Sequence, residues 1–369
     1  MQTFHPPSRL LLGPGPSMVA PSVLEAMSKP LIGHLDPAFV EMMEQIKSML
    51  REVFQTTNRM TFPVSGTGSA GMEFCLVNLV EPGDEVVVCI NGVFGGRMAD
   101  VAARCGATVI KVEAEWGHVI EAEAVAEAIR GRNPKLIGVV HAETSTGALT
   151  PIPPIAEVAK KAGAMLLIDT VTSLAGCPVE LDAWGVDAVY SGTQKCLSCP
   201  PGLAPVSLSE RALEVATSRQ SKVQSWYLDV NLLASYWGSE RAYHHTAPIT
   251  MNYALHEALR LVLDEGLDNR FARHERNHHR LKEGLADLGL EIASQPGHQL
   301  WQLNSIRVPE GVDEAAVRTG LLRDFGIEIG AGLGPLKGKV WRVGLMGDSS
   351  TPDNVDTVLH ALGQALAER

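Results

Sequence analysis

The 369-residue chain is poor in cysteine, in positive charge and in long apolar runs. Its 6 cysteines are scattered, which does not indicate a disulfide framework and favours a reducing, cytoplasmic setting. Acidic residues outnumber basic ones by 42 to 31, so the formal charge is -11, and no run of Lys or Arg offsets it. Nucleic acid and anionic membrane surfaces are therefore not expected as partners.

The apolar runs have the length of strands. The run MLLI at residues 165–168 is far shorter than the ~20 apolar residues of a membrane-spanning helix. The opening residues, MQTFHPPSRLLLGPGPS, contain a short run of leucines that Pro-Gly breaks follow at once. We expect neither a membrane span nor a signal peptide.

What the chain does have is an alternation of short apolar runs and amphipathic segments, from about residue 60 to residue 207. Because the runs are apolar throughout, they indicate strands buried on both faces of a parallel sheet. The strand-like runs are MTFPV, EVVVCI, ATVIKV, KLIGVVH, AMLLID, VDAVYS and LAPVSL. The pattern predicts an α/β fold with a mainly parallel seven-stranded sheet, in which ligands bind at the carboxyl ends of the strands.

The length of the chain favours two domains. Residues 250–265 form a helix-like segment that Gly266 ends, and the pattern beyond it changes to fewer, mixed elements. We predict an N-terminal arm at residues 1–12, a large α/β domain at residues 13–265 and a smaller α+β domain at residues 266–369.

The stretch GTGSAG, residues 66–71, matches the pattern G-x-G-x-x-G between a strand and a helix. A dinucleotide site also needs an acidic residue at the end of the next strand, and EVVVCI ends in Asn91 instead. A glycine-rich turn at a helix N-terminus binds phosphate through free N–H groups and the helix dipole. A phosphate-binding loop is therefore the favoured interpretation, with a plain turn as the alternative.

The stretch HERNH, residues 274–278, matches the zinc signature H-E-x-x-H. Both histidines continue an apolar stripe that includes Phe271 and several leucines, so they are expected to face the interior. Four arginines between residues 270 and 280 would repel a divalent cation. Packed, hydrogen-bonded histidines are the favoured interpretation, and no metal site is predicted.

The stretch CLSC, residues 196–199, has the spacing of a zinc or redox pair. A structural zinc would need a second cysteine pair, and a redox motif would start a helix where Pro200 and Pro201 follow instead. We expect these cysteines to be incidental.

Lys195 precedes the cysteines, and we expect it to follow directly after the buried strand VDAVYS, at the carboxyl edge of the sheet. Asp169 ends the strand AMLLID at the same edge, to which the phosphate-binding loop at residues 66–69 also belongs. Pyridoxal 5′-phosphate (PLP) requires these three groups: a lysine for the Schiff base, a carboxylate for the ring nitrogen and a loop for the phosphate. For Lys195 alone, a solvated surface lysine is the alternative.

Motifs along the chain resemble the class V aminotransferases, PLP enzymes of fold type I. In chain order they are LLLGPGPS, SGTGS, NGVFGGR, HAETSTG, LLIDTVTS and SGTQK. The resemblance extends from about residue 11 to the C-terminus and is strongest to the alanine–glyoxylate and serine–pyruvate aminotransferases. It implies ping-pong transfer of the amino group of alanine or serine to a keto acid, glyoxylate or pyruvate, through aldimine and ketimine stages.

The resemblance also implies the residues of the cofactor site. Lys195 would carry the cofactor, and Asp169 would pair with its pyridinium nitrogen. The other implied residues are Gly68, Ser69 and Gln194 at the phosphate, Phe94 stacked on the ring, and Thr144 at the phenolic oxygen.

The substrate site is implied in the same way. Arg342, in KVWRVGLMG, would bind the α-carboxylate of the substrate, because its planar guanidinium suits a bidentate contact. Gly33 and Thr144 would lie beside it. The segment 29–39 would cover the site, and for His34 within it the alternative is a cap on the following helix.

The stretch YHHT, residues 243–246, resembles a segment that crosses a dimer interface. Tyr243 and Thr246 would reach the phosphate in the partner's site. The resemblance therefore implies a homodimer with shared active sites.

Other functions compete with this one. A cysteine desulfurase typically has histidines where this chain has Gln194 and Phe94, and a reactive cysteine on a loop later than Cys199. A nicotinamide dehydrogenase would need an acid at Asn91, and a non-catalytic regulator would be expected to lose Arg342 or to add a DNA-binding segment. Sibling aminotransferases acting on ureidoglycine, aspartate or hydroxykynurenine stay open.

Overall fold

The computed structural model describes residue 1 and residues 3–367. Residues 2, 368 and 369, which belong to the predicted arm and C-terminal domain, lie outside the described residues. Strands of the described chain are β1 (Leu10–Leu11), β2 (Met60–Ser65), β3 (Glu85–Ile90), β4 (Thr108–Glu113), β5 (Leu136–Val140), β6 (Ala142–Glu143), β7 (Ala148–Leu149), β8 (Met165–Asp169), β9 (Ala188–Tyr190), β10 (Leu203–Leu208), β11 (Leu303–Arg307), β12 (Ile327–Glu328), β13 (Gly330–Ala331) and β14 (Val340–Gly344).

The α-helices are α1 (Pro21–Met27), α2 (Pro37–Phe54), α3 (Gly68–Leu79), α4 (Val93–Arg104), α5 (Ala122–Ala128), α6 (Ile152–Ala162), α7 (Leu181–Trp184), α8 (Glu210–Thr217), α9 (Val230–Trp237), α10 (Ile249–Glu265), α11 (Leu267–Asp287), α12 (Glu314–Asp324) and α13 (Pro352–Ala367). Short 3₁₀ turns lie at Gly334–Leu336 and Gly347–Ser349.

The central sheet of the described chain has seven strands in the order β2-β10-β9-β8-β5-β3-β4. Only β10 runs against its neighbours, while the other pairings recorded in this sheet, from β9 to β4, are parallel. The predicted mainly parallel sheet is therefore confirmed. The carboxyl ends of β2, β9, β8, β5 and β3 meet at one edge.

Both faces of this sheet are covered, which explains why its strands are apolar throughout. Along β8, Leu166 packs into the core on one face, with Ile155 of α6 and Leu255 of α10. The next residue, Leu167, packs into the core on the other face, with Leu76 of α3. Alternate side chains of one strand thus serve different cores.

Two helices of this domain begin or end at residues of the types that favour helix ends. Asp36 caps α2 by accepting a hydrogen bond from the amide of Ala38 at 2.8 Å, and Pro37 is the first helical residue. At the C-terminal end of α6, Gly163 adopts the left-handed conformation (φ 68°), which ends the helix and lets the chain turn back into β8.

A smaller sheet, in the order β11-β14-β13, lies in the last third of the chain. Its apolar core includes residues of α11, α12 and α13, and also Leu12 from the start of the chain. The adjoining strand β1 pairs in parallel with β12. Gly266 lies between α10 and α11, where the domain boundary was predicted, and that boundary stays a prediction.

Within the described chain, no helix combines the length and the apolar character that crossing a membrane requires.

Candidate active site

A cavity opens at the carboxyl edge of the central sheet. Its empty volume is about 530 Å³ including the open mouth. The predicted residues that line it are Gly68, Ser69, Phe94, Thr144, Asp169, Gln194 and Lys195. The sheet topology brings them together because each follows the end of a strand or begins the helix after it.

Lys195 lies in a turn at the wall of this cavity and is 8% exposed. The prediction that it directly follows the strand is wrong, because β9 ends at Tyr190 and residues 191–194 intervene. Burial, together with the positive charge of Arg342, lowers the pKa of Lys195 from 10.5 to about 8. About a tenth of the amine is then neutral at pH 7, against less than a thousandth for an unperturbed lysine.

The segment at residues 14–17, just after the predicted N-terminal arm, covers this amine. Lys195 Nζ donates a hydrogen bond to the carbonyl oxygen of Pro14, and Ser17 Oγ donates to the carbonyl oxygen of Lys195 at 2.7 Å. A Cβ at Gly15 would lie 2.8 Å from Nζ, and Gly15 has a φ of +107°. Only glycine therefore suits this position.

Asp169 is held at the end of β8. Its Oδ2 accepts a hydrogen bond from the hydroxyl of Tyr190 at 2.7 Å, and its Oδ1 accepts one from the amide of Val171 at 2.8 Å. Burial raises the pKa of Asp169 from 3.8 to about 6, although both hydrogen bonds oppose the rise. About nine tenths of this carboxyl group is ionised at pH 7. It can therefore face a cationic ring nitrogen.

An anion-binding end of the cavity is formed by the start of α3. Thr67 provides no side-chain cap, so the amide groups of Gly68 and Ser69 are available to a ligand at the positive end of the helix. Gln194 also lines this cavity, and its buried Oε1 has no hydrogen-bond partner within the described residues. The free amide groups of Gly68 and Ser69, which are donors, suit a phosphate.

Phe94 is positioned by a buried carboxylate that the sequence analysis missed. Glu143 Oε2 accepts a hydrogen bond from the Phe94 amide at 3.0 Å and so caps α4. Its Oε1 accepts from the Ser145 hydroxyl at 2.6 Å. Burial raises the pKa of Glu143. A Cβ at Gly92 would lie 2.4 Å from Glu143 Cδ, so glycine is required there.

Arg342 reaches the cavity wall from β14. Its Nη1 donates to the carbonyl oxygen of Thr144 at 3.0 Å, and its Nε donates to the carbonyl oxygen of Ala331 at 2.7 Å. Burial lowers the pKa of Arg342 to about 10, so the group stays charged at neutral pH. Its remaining donors can bind a substrate carboxylate.

The other predicted site residues lie outside the cavity lining: Gly33, Tyr243 and Thr246. All are exposed, and the ring of Tyr243 lies 5.5 Å from that of His34. His245 connects this surface to the sheet, because its Nε2 lies 2.7 Å from the hydroxyl of Ser65 at the end of β2. The surface therefore borders the phosphate-binding loop without entering the cavity of its own chain.

The remaining sequence motifs have structural roles. His274 accepts a hydrogen bond from the Gly347 amide at its Nε2, and its Nδ1 lies 2.7 Å from the carbonyl oxygen of Arg270. His274 is thus packed and hydrogen-bonded, as predicted. Burial raises the pKa of the thiols of Cys196 and Cys199 to about 12, which disfavours thiolate chemistry at either.

Among the lining and supporting residues that the sequence analysis did not assign are Glu143, Tyr190 and Arg97. Glu143 and Tyr190 carry the same signal as Asp169, because each is a polar side chain at or just after the end of a buried strand. Arg97 follows Phe94 at a spacing of three residues on α4, which places the two side chains as neighbours on that helix.

The residues of the cavity fit PLP. Lys195 offers an amine that is partly neutral, Asp169 offers a buried carboxylate, and the start of α3 offers free amide groups for a phosphate. No group of residues suited to holding a metal ion occurs in the described part of the chain.

Comparison with known proteins agrees with this geometry. Residues 9–346 match the family model described as aminotransferase class-V. The (S)-ureidoglycine–glyoxylate transaminase of Bacillus subtilis is 40% identical over 98% of this chain and 91% of its own. The alanine–glyoxylate aminotransferase of Drosophila melanogaster is 40% identical over 98% and 93%. The crystal structure of an alanine–glyoxylate aminotransferase from Nostoc sp. is 50% identical, with a TM-score of 0.98, covering 99% of this chain and 97% of that one.

Proposed function

Since the chain belongs to the class V aminotransferase family, we propose that it transfers the amino group of alanine or serine to glyoxylate or pyruvate. It is a PLP-dependent aminotransferase of fold type I. The observation that carries the proposal is the cavity that joins Lys195, Asp169 and the start of α3 and that Arg342 approaches through Thr144. The names of the Drosophila and Nostoc relatives support alanine as donor and glyoxylate as acceptor.

Each residue of the cavity has a role in holding the cofactor. Gly68 and Ser69 would bind the phosphate with their amide groups and Gln194 with its side chain. Asp169 would hold the ring nitrogen, Phe94 would cover the ring, and Thr144 would contact the phenolic oxygen. When bound, PLP supplies the electron sink that makes the α-proton of an amino acid acidic and carries the amino group between the two half-reactions.

Lys195 moves the proton. Its amine, with a pKa near 8, is neutral often enough at neutral pH to accept the α-proton of the donor at Nζ, and in the opposite half-reaction Nζ delivers a proton to the α-carbon of the new amino acid. Residues 14–17 bury this amine, which limits the access of water that would otherwise compete for that proton.

Arg342 orients the substrate. Its guanidinium is fixed by the carbonyl oxygens of Thr144 and Ala331, so it can bind the α-carboxylate without losing further side-chain freedom. Amino acid and keto acid carry the same carboxylate, and one arginine therefore serves both half-reactions.

A second candidate is the same reaction with (S)-ureidoglycine as the donor. The relative named for that donor is as similar to this chain as those named for alanine, at 40% identity. Both reactions would use the same lysine, carboxylate and arginine.

We also propose that the protein is a homodimer in which Tyr243 and Thr246 complete the partner's phosphate site. Tyr243 is 66% exposed although it is aromatic, and Trp226 (63% exposed) adds to the uncovered apolar surface. A cytoplasmic setting is proposed as well, supported by 6 free, buried cysteines in the described chain. Cell fractionation tests the latter.

A crossed assay of donors and acceptors tests the proposed reaction. Alanine, serine, aspartate and (S)-ureidoglycine are each paired with glyoxylate and pyruvate, using the purified holoprotein. We expect alanine or serine with glyoxylate to give the highest kcat/KM, with the parallel double-reciprocal lines of a ping-pong enzyme. A higher kcat/KM with (S)-ureidoglycine would replace this donor assignment, and no transamination with any pair would overturn the proposal.

A further inference from the structure

Arg97 is a charged side chain at the cavity that the reaction described above does not use. It lies one turn after Phe94 on α4, and both line the cavity. Its Nη1 donates a hydrogen bond to Ser69 Oγ at 3.2 Å, and its guanidinium carbon lies 5.0 Å from the centroid of the Phe94 ring. The side chain is thus held between the start of α3 and the aromatic ring.

Arg97 has no carboxylate partner within the described residues. Asp100 lies one turn after Arg97 on the same helix, but it pairs with Arg104 instead, at 2.9 Å. The partners recorded for Arg97 are instead a neutral hydroxyl and a ring face. A guanidinium carries five donors, so most of those on Arg97 are left for an anion.

The anion would meet Arg97 at the start of α3. The amide groups of Gly68 and Ser69 are available there, and the helix dipole favours negative charge at the same point. Because Ser69 Oγ accepts its hydrogen bond from Arg97, the hydroxyl hydrogen of Ser69 is free to point to the anion as well. Arg97, Ser69 and the amide groups then form one donor set.

We propose that Arg97 is a cofactor-binding residue that supplies the main side-chain charge for the phosphate of PLP. This inference rests on the proposed function, since it takes PLP as the ligand of the cavity. A charge-assisted hydrogen bond of this kind contributes roughly 10- to 100-fold to affinity.

Cofactor affinity tests the inference without measuring turnover. The full chain is freed of cofactor and titrated with PLP, and separately with pyridoxal, which lacks the phosphate; quenching of tryptophan fluorescence gives each Kd. The variants are Arg97→Gln, Arg97→Lys and, as the matched control on the same helix, Arg104→Gln.

We expect Arg97→Gln to weaken PLP binding by roughly 10- to 100-fold and to leave pyridoxal binding unchanged. Arg97→Lys should keep part of the PLP affinity, because it retains the charge without the planar fork. Arg104→Gln should match the wild type with both ligands. Raising the salt concentration should weaken PLP binding less in Arg97→Gln than in the wild type.

Two results would overturn the inference. Equal PLP affinity in Arg97→Gln and wild type would show that the phosphate does not use this charge, even if a KM for substrate changed. Equal losses of PLP and pyridoxal affinity would show that Arg97 acts through the Phe94 ring instead. A wild-type chain that bound neither ligand would contradict the proposed function itself.

Discussion

At the scale of single residues, the site is defined by buried ionisable groups, two of them basic and two acidic. Lys195 and Arg342 each have a lowered pKa, and Asp169 and Glu143 each have a raised one, with burial as the largest cause in all four. Each group is therefore less firmly charged than it would be in water. Such groups exchange protons or bind ions near neutral pH, which is the requirement of a proton-transfer enzyme.

The first prediction concerns the amine of Lys195. In the cofactor-free chain, the rate at which PLP becomes covalently attached should rise with pH around a midpoint near 8, since only the neutral amine reacts. Arg342→Met removes a positive charge that lowers the pKa of Lys195, so the midpoint should move to higher pH. The same variant should show higher KM values for both amino and keto acids. Absorbance of the attached cofactor measures the rate.

Two controls frame this experiment. Lys195→Ala should attach no PLP at any pH, and Arg307→Met changes an exposed arginine on the neighbouring strand β11 and should behave as the wild type. An unmoved midpoint in Arg342→Met would contradict the electrostatic coupling. Attachment in Lys195→Ala would contradict the assignment of the lysine.

At the scale of elements, α11 joins the C-terminal sheet to the turn that carries Lys195. Arg270 Nη2 donates to the carbonyl oxygen of Cys196 at 2.6 Å, the residue next to the lysine. One turn later, His274 accepts from the Gly347 amide. The helix that carries the H-E-x-x-H pattern thus connects the two parts of the chain, and His274 and His278 act there as neutral hydrogen-bonding groups.

The second prediction follows from the pKa of His274, which burial lowers from 6.5 to about 3. Between these values the unfolded chain binds a proton that the folded chain does not, so the free energy of unfolding should fall as the pH falls from 6.5 towards 3. His274→Gln should be less stable at pH 7 by about 1–3 kcal/mol, because the buried Gly347 amide loses its partner. Its stability should also depend less on pH. Denaturant unfolding at pH 7, 5 and 4 measures both.

His279→Gln is the matched control, since that histidine is one position beyond His278 on the same helix and its side chain is 59% exposed. It should follow the wild-type curve. If His274→Gln and wild type lost stability in parallel as the pH fell, His274 would not be the neutral buried group described.

At the scale of the whole molecule, much of the fold was predictable because its strands bury both faces. The run AMLLID, for example, contained the complete strand β8 with Asp169 at its end. The antiparallel direction of β10 was not predictable, because its sequence LAPVSL is as apolar as those of the parallel strands in the same sheet. Glu143 was missed because its position just after a buried strand does not show that it will cap a helix some 50 residues earlier in the chain.

The placement of Tyr243 and Thr246 outside the cavity leads to the third prediction, which tests the proposed dimer. Lys195→Ala and the double variant Tyr243→Ala/Thr246→Ala should each be nearly inactive. When they are mixed and allowed to exchange subunits, about a quarter of wild-type activity should return, because half of the dimers are hybrids with one intact site. Turnover and molar mass in solution are measured together.

Each variant carried alone through the same exchange is the control and should stay inactive. A monomeric mass, or a mixed sample without recovered activity, would contradict the shared site.

The pairing of β1 with β12 also has a bearing on how the protein is made. Leu10 and Leu11 leave the ribosome early, but their strand partners Ile327 and Glu328 emerge only near the end of translation. Residues 14–17, which cover Lys195, directly follow this strand and can pack in place only after that, so one of the first segments to be synthesised is among the last to pack. During that interval the amine of Lys195 is open to solvent. We therefore expect the nascent chain to bind PLP before residues 14–17 cover the site.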